Sequence, residues 1–336
     1  MGSAASAWLS RYSANEAAQS LLLWYRRQGR RLPWRETRDP YRIWVIETLL
    51  QQTRILQAQT YIQRFFEAFP DLETLANASL NQVLAVWQGL GYYQRAYHLH
   101  QTAQKLYQGG GWSFLDSPQA LENLLALPGI GSYTARAILC FTEKGKYLPV
   151  DGNLVRVLAR LWKDTTPATQ RSAYQAQADT LPDIWKTREV AFALMDLGQL
   201  HCLPQRPECL LCPMQRFCWG AEAGLASQLP IRKQKAPRPV QYWHFWLHAD
   251  GKHVWLEQRP PRGIWGSLWC LPAHPLPKPP KNKPAFKHAF THFELWGYVE
   301  RVAEPPSSAQ PVPWTRLCEF ALPTPIKRLL HSQLPF

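Results

Sequence analysis

Three groups of residues in this chain have types and spacings that could do chemistry. The first is Leu127-Pro128-Gly129-Ile130-Gly131-Ser132-Tyr133-Thr134-Ala135, followed by Val150-Asp151-Gly152-Asn153. Gly129 and Gly131 allow backbone angles closed to other residues. They also leave amides unobstructed at a helix start, where a phosphate can dock without its sequence being read. Two readings fit: a helix-hairpin-helix grip with a carboxylate beside whatever it holds, or a tight interhelical turn in which Asp151 only caps the helix through Leu154, Leu158 and Leu161. The second group centres on Glu47, in Ile43-Trp44-Val45-Ile46-Glu47-Thr48-Leu49-Leu50. At helical spacing Ile43, Ile46, Glu47 and Leu50 share one face, so burial among apolar side chains raises the carboxyl pKa and suits it to act as a general acid near neutral pH. The plainer alternative is a glutamate that reaches water from the edge of the stripe. Gln51-Gln52-Thr53 follows, with amides and a hydroxyl able to bond base edges, or simply a polar helix end.

The third group is cysteine. Four of the seven cysteines, Cys202, Cys209, Cys212 and Cys218, fall within 17 residues at the spacing C-x6-C-x2-C-x5-C, which can wrap four thiolates around one inorganic centre. Disulfides do not persist in a reducing compartment, and a structural zinc is the stronger rival. Short zinc ribbons carry two C-x2-C pairs where this loop has one, which favours a [4Fe–4S] cluster. Cys140, Cys270 and Cys318 read as core or incidental thiols.

These groups must be positioned by a long run of helices. Helical periodicity covers 7–28, 41–54, 57–69, 79–88, 92–108, 117–126, 133–143, 152–163, 170–180 and 187–199, broken by Pro, Gly or polar turns. The texture then changes. The segment from Pro230 to Pro239 is basic, Pro-rich and poor in apolar residues, as a linker is. Beyond it, aromatic and β-branched stretches at 242–247, 253–258 and 294–302 predict strands of a smaller α+β domain. The expected division is a helical domain over 1–224, with the hairpin near 121–140 and the cysteine loop at 202–218, then a linker over 225–240 and a domain over 241–336. With 336 residues and 46% apolar content the chain can bury two cores, and its net charge of +14 favours a polyanionic partner. There is no run of about 18 apolar residues to span a bilayer and no charged-then-apolar leader, so no membrane is expected as a partner. The Met1-Gly2 start fits a myristoylation pattern only by its small residues.

Leu32-Pro33-Trp34-Arg35, Asp39-Pro40-Tyr41, Glu47 to Thr53, Trp87-Gln88-Gly89-Leu90-Gly91-Tyr92-Tyr93-Gln94-Arg95-Ala96, Leu127 to Ala135, Asp151-Gly152-Asn153 and the four-cysteine loop together resemble the MutY adenine DNA glycosylases. The resemblance runs in the family's order over nearly the whole chain. It implies an all-α helix-hairpin-helix glycosylase core with a [4Fe–4S] loop held by Cys202, Cys209, Cys212 and Cys218, plus a C-terminal α+β MutT-like (Nudix-like) domain. The implied partner is double-stranded DNA with 8-oxoguanine:adenine or guanine:adenine mispairs, bound by a monomer; the missing signals and the compact chain lead us to expect a bacterial-type cytoplasm at the nucleoid. Glu47 is implied as the acid at adenine N7, Asp151 as the group facing the sugar, and Asn153 as its orienting partner. The implied base pocket holds Arg30, Leu32, Trp34, Arg35 and Asp196. Gln52, with Thr53 beside it, and Tyr92 are implied to meet the disturbed stack, while Gly129 and Gly131 hold phosphate.

Tyr133 separates two chemistries. Strand-cutting relatives resembling endonuclease III carry a Lys at this hairpin position, whose amine forms a Schiff base; a phenol cannot, and no Lys lies from Glu122 through Glu143. A glycosylase that leaves an abasic site is the expectation. In the C-terminal part, Gly263 to Pro272 resembles the MutT-like module, yet only Glu257 and Glu294 are acidic between Lys252 and Val299, too few for a Nudix hydrolase to hold its metal ions. The segment Phe286 to Phe293, with Phe290, Thr291 and His292, resembles the family's 8-oxoguanine-sensing loop. Thr291 stands where Ser is usual, adding a methyl and a stiffer χ1, and Ile46 stands where Ser commonly precedes the acid. The rival readings are a nucleotide hydrolase and a non-catalytic DNA-binding protein.

Overall fold

Two serine caps divide the stretch expected as one helix over 7–28. Ser3 accepts from the Ser6 amide at 3.1 Å and Ser13 from the Glu16 amide at 3.3 Å, so α1 (Ala4–Arg11) stops at an extended Tyr12 and α2 (Ala14–Gln28) starts afresh. The computed structural model describes residues 3–51, 55–231 and 237–332. Further helices are α3 (Pro40–Leu50), α4 (Ile55–Ala68), α5 (Leu72–Asn77), α6 (Leu80–Val86), α7 (Gln94–Gln108), α8 (Ala120–Leu125), α9 (Ser132–Phe141), α10 (Gly152–Trp162), α11 (Arg171–Asp179), α12 (Arg188–Leu200), α13 (Trp219–Glu222) and α14 (Thr324–His331). Contacts gather the chain into two units, Met1–Gln51 with Gln108–Gln234, and Gln52–Tyr107 with Lys235–Phe336.

The first unit is helical. α3 starts where Asp39 accepts from the Tyr41 amide at 2.9 Å with Pro40 at the first helical position. Tyr41, Ile43, Trp44, Val45, Ile46, Thr48 and Leu49 are all buried, so this helix is wrapped nearly all round rather than along one stripe. It packs on α9, while α12 packs on α10 and α2. The Trp8 indole donates to the Phe217 carbonyl at 2.8 Å, tying the first helix to the cysteine loop.

The second unit joins α4 to α7 to a C-terminal α+β domain. Its strands are β1 (Val240–Leu247), β2 (His253–Gln258), β3 (Trp269–Cys270), β4 (Ala273–Leu276), β5 (Phe286–Ala289), β6 (Glu294–Arg301) and β7 (Gln310–Pro313). One sheet has the order β4-β1-β6-β5, with β1 and β6 parallel, and the other runs β3-β2-β7. Phe245, Leu247, Val254, Leu256, Leu295 and Val312 meet Ile326 and Leu330 of α14 in the core. The three strands expected from sequence are β1, β2 and β6; β3, β4, β5 and β7 span only 2 to 4 residues each, too short to show a period of two. Among the described residues, α14 is the only α-helix after Val240, so no acidic helix flanks the sheet. Glu257 is engaged by Arg259 at 3.1 Å and by the Ser308 hydroxyl at 2.7 Å.

Candidate active site

The hairpin is built as a helix start left open. Gly129 sits at φ 74, in the left-handed region that favours glycine. Gly131 does not: its φ of −90 is ordinary extended backbone, which corrects the expectation that both glycines are needed for their angles. The space beside Gly131 is open, since a Cβ there would meet nothing within 4 Å, and no side chain caps α9. The first amides of this 10-residue helix therefore remain available to an anion.

In the first turn of α9 the Tyr133 hydroxyl donates to Glu47 Oε2 at 2.7 Å, joining α9 to α3. Burial pushes the Glu47 carboxyl up to about 7; the charge of Asp151 adds to this, while the Tyr133 hydrogen bond and the Arg35 charge oppose it. Burial and the two neighbouring carboxylates hold the Tyr133 phenol protonated, well above its ordinary value. Asp151 is also raised by burial, against hydrogen bonds from the Leu154 and Asn153 amides and the Asn153 side chain. It caps α10, with Oδ1 accepting from Leu154 N at 2.7 Å and Oδ2 from Asn153 Nδ2 at 3.2 Å. Capping and chemistry do not compete, because the carboxylate still faces the field of Glu47 and Tyr133. Two carboxyl groups within electrostatic reach, one pushed up to about 7 and the other raised by burial but held by amide hydrogen bonds, form the pattern of an acid paired with a second carboxyl group.

Asp196 is fully buried. Its oxygens accept from the Arg30 amide and Nε at 2.7 Å and from Arg35 Nη1 and Nη2 at 3.0 and 2.9 Å. Burial would raise this carboxyl, but Arg35 and then Arg30 hold it below the usual range. Asp196 thus anchors the segment carrying Arg30, Leu32, Trp34 and Arg35 and has no oxygen turned outward. The Arg35 guanidinium lies 4.7 Å over the Phe192 ring. Gln52 and Thr53 lie outside the described residues.

Two residues of this region escaped the sequence reading, Arg156 and Arg160, four apart on a helix that is otherwise apolar beyond Asn153. Arg156 Nη2 donates to Asn153 Oδ1 at 3.1 Å and its Nε to the Cys202 carbonyl at 2.8 Å, which links Asp151 through Asn153 to the cysteine loop. Arg160 is 1% exposed, and donates to the Leu203 and Leu229 carbonyls at 2.8 and 2.9 Å and to Cys202 Sγ at 3.2 Å. Cys202, Cys209, Cys212 and Cys218 line one cavity with Arg160, and all are free thiols, so the disulfide alternative falls. Among the described residues no three His, Cys, Asp or Glu side chains close on a point that would hold a single metal ion. Four thiols lining one cavity beside a buried guanidinium are a soft donor set of the kind an iron–sulfur cluster takes.

In the second unit, Tyr92 has φ 49 and is 51% exposed. Its hydroxyl lies 3.1 Å from Thr291 Oγ1, although 199 residues separate them in sequence. Arg95 braces this loop by donating to the Gly91 carbonyl at 3.2 Å and stacking on Trp87. Thr291 and His292 are exposed at the tip between β5 and β6, where the Phe290 amide donates to the Phe293 carbonyl at 2.9 Å.

Comparison with known proteins fits this geometry. Residues 45–181 match the HhH-GPD superfamily of base excision DNA repair proteins, and residues 243–332 match the NUDIX domain. The fold is shared with a thermostable thymine-DNA glycosylase at 27% identity and a TM-score of 0.54, covering 62% of this chain and 97% of that one. It is shared as well with endonuclease III in a non-covalent DNA complex, at 18% identity and a TM-score of 0.51 over 64% and 99% of the two chains. Fold and hairpin thus define a base-excision DNA glycosylase. An adenine DNA glycosylase of Buchnera aphidicola is 34% identical over 76% of this chain and 72% of its own length, and one from Mus musculus is 28% identical over 93% and 76%. The chain belongs to the MutY family of adenine DNA glycosylases, with the helical core and Nudix-like C-terminal domain of that family.

Proposed function

We propose that this enzyme excises adenine paired with 8-oxoguanine or guanine and leaves an abasic site. The observation that carries the reading is the Glu47 carboxyl, held near 7 and hydrogen-bonded to Tyr133, with Asp151 in its field. The bond from base to sugar is inaccessible in stacked DNA, so the adenine is first flipped out. Glu47 delivers its proton to N7 as the C1′–N9 bond breaks, the bonding electrons leave with a now neutral adenine, and positive charge develops on the sugar. Asp151 stabilises that oxocarbenium ion, as a carboxylate or through a transient ester at C1′, before water adds there and its released proton returns to the Glu47 carboxylate. Tyr133, having no amine, forms no Schiff base, so the strand stays intact.

The four thiolates of Cys202, Cys209, Cys212 and Cys218 would hold a [4Fe–4S] cluster, which when bound cross-links the loop and supplies negative charge beside Arg160. The reading is supported by the spread of the thiols around one cavity and by that buried guanidinium. Thr291 and His292 meet the base opposite the adenine. Their exposure at a turn and the contact to Tyr92 favour this.

The test incubates the purified enzyme with 8-oxoguanine:adenine, guanine:adenine and 8-oxoguanine:cytosine duplexes, each with and without alkali. Adenine release from the first two, with strand breaks appearing only after alkali, is expected. Breaks without alkali would sink the monofunctional assignment, and a colourless preparation containing zinc in place of iron and acid-labile sulfide would sink the cluster.

A further inference from the structure

The tip that carries Thr291 and His292 is a short, exposed turn closed by one backbone hydrogen bond at 2.9 Å. Two exposed residues on such a turn need support from below. That support is aromatic. Phe290 and Phe293 stack face to face across the base of the turn, their centroids 4.5 Å apart and planes 19° from parallel. Beneath them the Trp265 ring lies 6.0 Å from Phe290 and 6.0 Å from Phe245, which is buried in the core. His288 touches both Trp265 and Phe290, at 5.8 and 4.8 Å. The ladder runs unbroken from core to tip.

Trp265 itself is held in a conformation that only tight surroundings maintain. Its φ is 54 and that of Ser267 is 65, both in the left-handed region that costs a non-glycine residue of order 1 kcal/mol or more. Between them Gly266 passes so close to the Pro261 carbonyl that a Cβ would sit 2.4 Å from it. The Ser267 amide donates to the Pro260 carbonyl at 3.1 Å, and Gln258 Nε2 donates to the Ser267 carbonyl at 3.2 Å. A loop that keeps two strained residues in order to present one indole to the tip is over-determined for packing alone, since an indole in a core needs no such angles.

We propose that Trp265 is a positioning residue for recognition of the base opposite the adenine, fixing the height and tilt of the Thr291 tip through Phe290 and Phe293. The inference rests on the reading of that tip as the 8-oxoguanine sensor. It assigns Trp265 no contact with DNA. Loss of the indole leaves the tip intact in sequence but free to tilt, so the enzyme keeps its adenine chemistry and loses its preference for the damaged partner.

The test measures single-turnover adenine release from 8-oxoguanine:adenine and guanine:adenine duplexes for the full-length enzyme, Trp265→Leu, Trp265→Phe and Phe293→Leu, with hydrogen exchange of 288–293 alongside. Trp265→Leu should lower the ratio of the two rates by about tenfold, as the loss of one or two aromatic contacts allows, leave the guanine:adenine rate unchanged and speed exchange at the tip. Trp265→Phe should restore most of the ratio. Phe293→Leu, which leaves the strained loop untouched, should reproduce the loss and keeps the test decisive if Trp265→Leu fails to fold. An unchanged ratio in either folded leucine variant, or equal losses on both duplexes, overturns the inference. A wild-type enzyme with no preference for 8-oxoguanine overturns the underlying reading instead, and does so before any substitution is made.

Discussion

Glu47→Gln abolishes adenine release while leaving duplex binding intact, with a fall of about 10²- to 10⁴-fold in the single-turnover rate, the range in which a positioned general acid contributes. The amide keeps the size and the hydrogen bond with Tyr133 but has no proton to give. The wild-type rate should also fall as pH rises through about 7, because the carboxyl must be protonated to act. Tyr133→Phe moves that limb upward, since the Tyr133 hydrogen bond is among the influences holding Glu47 down. Stability changes in the same window. In the unfolded chain Glu47 ionises near 4.5 and in the fold near 7, so between these values the folded state holds a proton that the unfolded state has lost. Stability therefore declines as pH rises across this interval, reaching a penalty of up to about 3 kcal/mol above it. The glutamine variant has no such penalty and should melt higher than wild type at pH 8 but not at pH 4.5. A variant that retains adenine release, or whose melting advantage is the same at both pH values, refutes the assignment of Glu47 as a buried acid.

Glu47 was visible in the sequence because its neighbours are apolar at helical spacing, although α3 proved buried all round and the single stripe was only part of the cause. The cysteine loop and the hairpin were visible because their chemistry is local, with every residue within a few positions of the next. Arg156 and Arg160 were not, since a guanidinium four residues from another looks like any solvated helix face until a loop 42 to 46 residues away folds over it. The Tyr92–Thr291 contact has no local signature at all. Trp265 lies in the Gly263 to Pro272 stretch that resembles the MutT-like module, but its left-handed backbone goes with the close approach of Gly266 to the Pro261 carbonyl, which periodicity does not encode. The resemblance puts Asp196 in the base pocket, but the fold spends all of its hydrogen bonds on Arg30 and Arg35, so any effect on a base would pass through the arginines.

Asp151→Asn separates the cap that this residue forms from the charge it is proposed to bring to the sugar. Asparagine caps a helix about as well as aspartate, so α10 keeps its acceptor for the Leu154 amide and the melting temperature should move by no more than a degree or two, a capping change of a few tenths of a kcal/mol. The charge is what disappears. If Asp151 only caps, adenine release is unaffected by the substitution. If it faces the oxocarbenium ion, removing the negative charge from a site this buried costs about 10²- to 10³-fold in rate, the loss seen when one preorganised electrostatic partner is removed. Asn153 Nδ2 now donates to Asp151 Oδ2 at 3.2 Å and Arg156 holds Asn153 at 3.1 Å; an asparagine at 151 keeps its single oxygen for the Leu154 amide and gives up only this longer contact, while Arg156 still holds Asn153 in place. Rate and stability are then expected to separate cleanly, with release of adenine falling in a protein that melts as before. An unchanged rate would mean that the carboxylate is chiefly a cap, and would return the chemistry at the sugar to some other group.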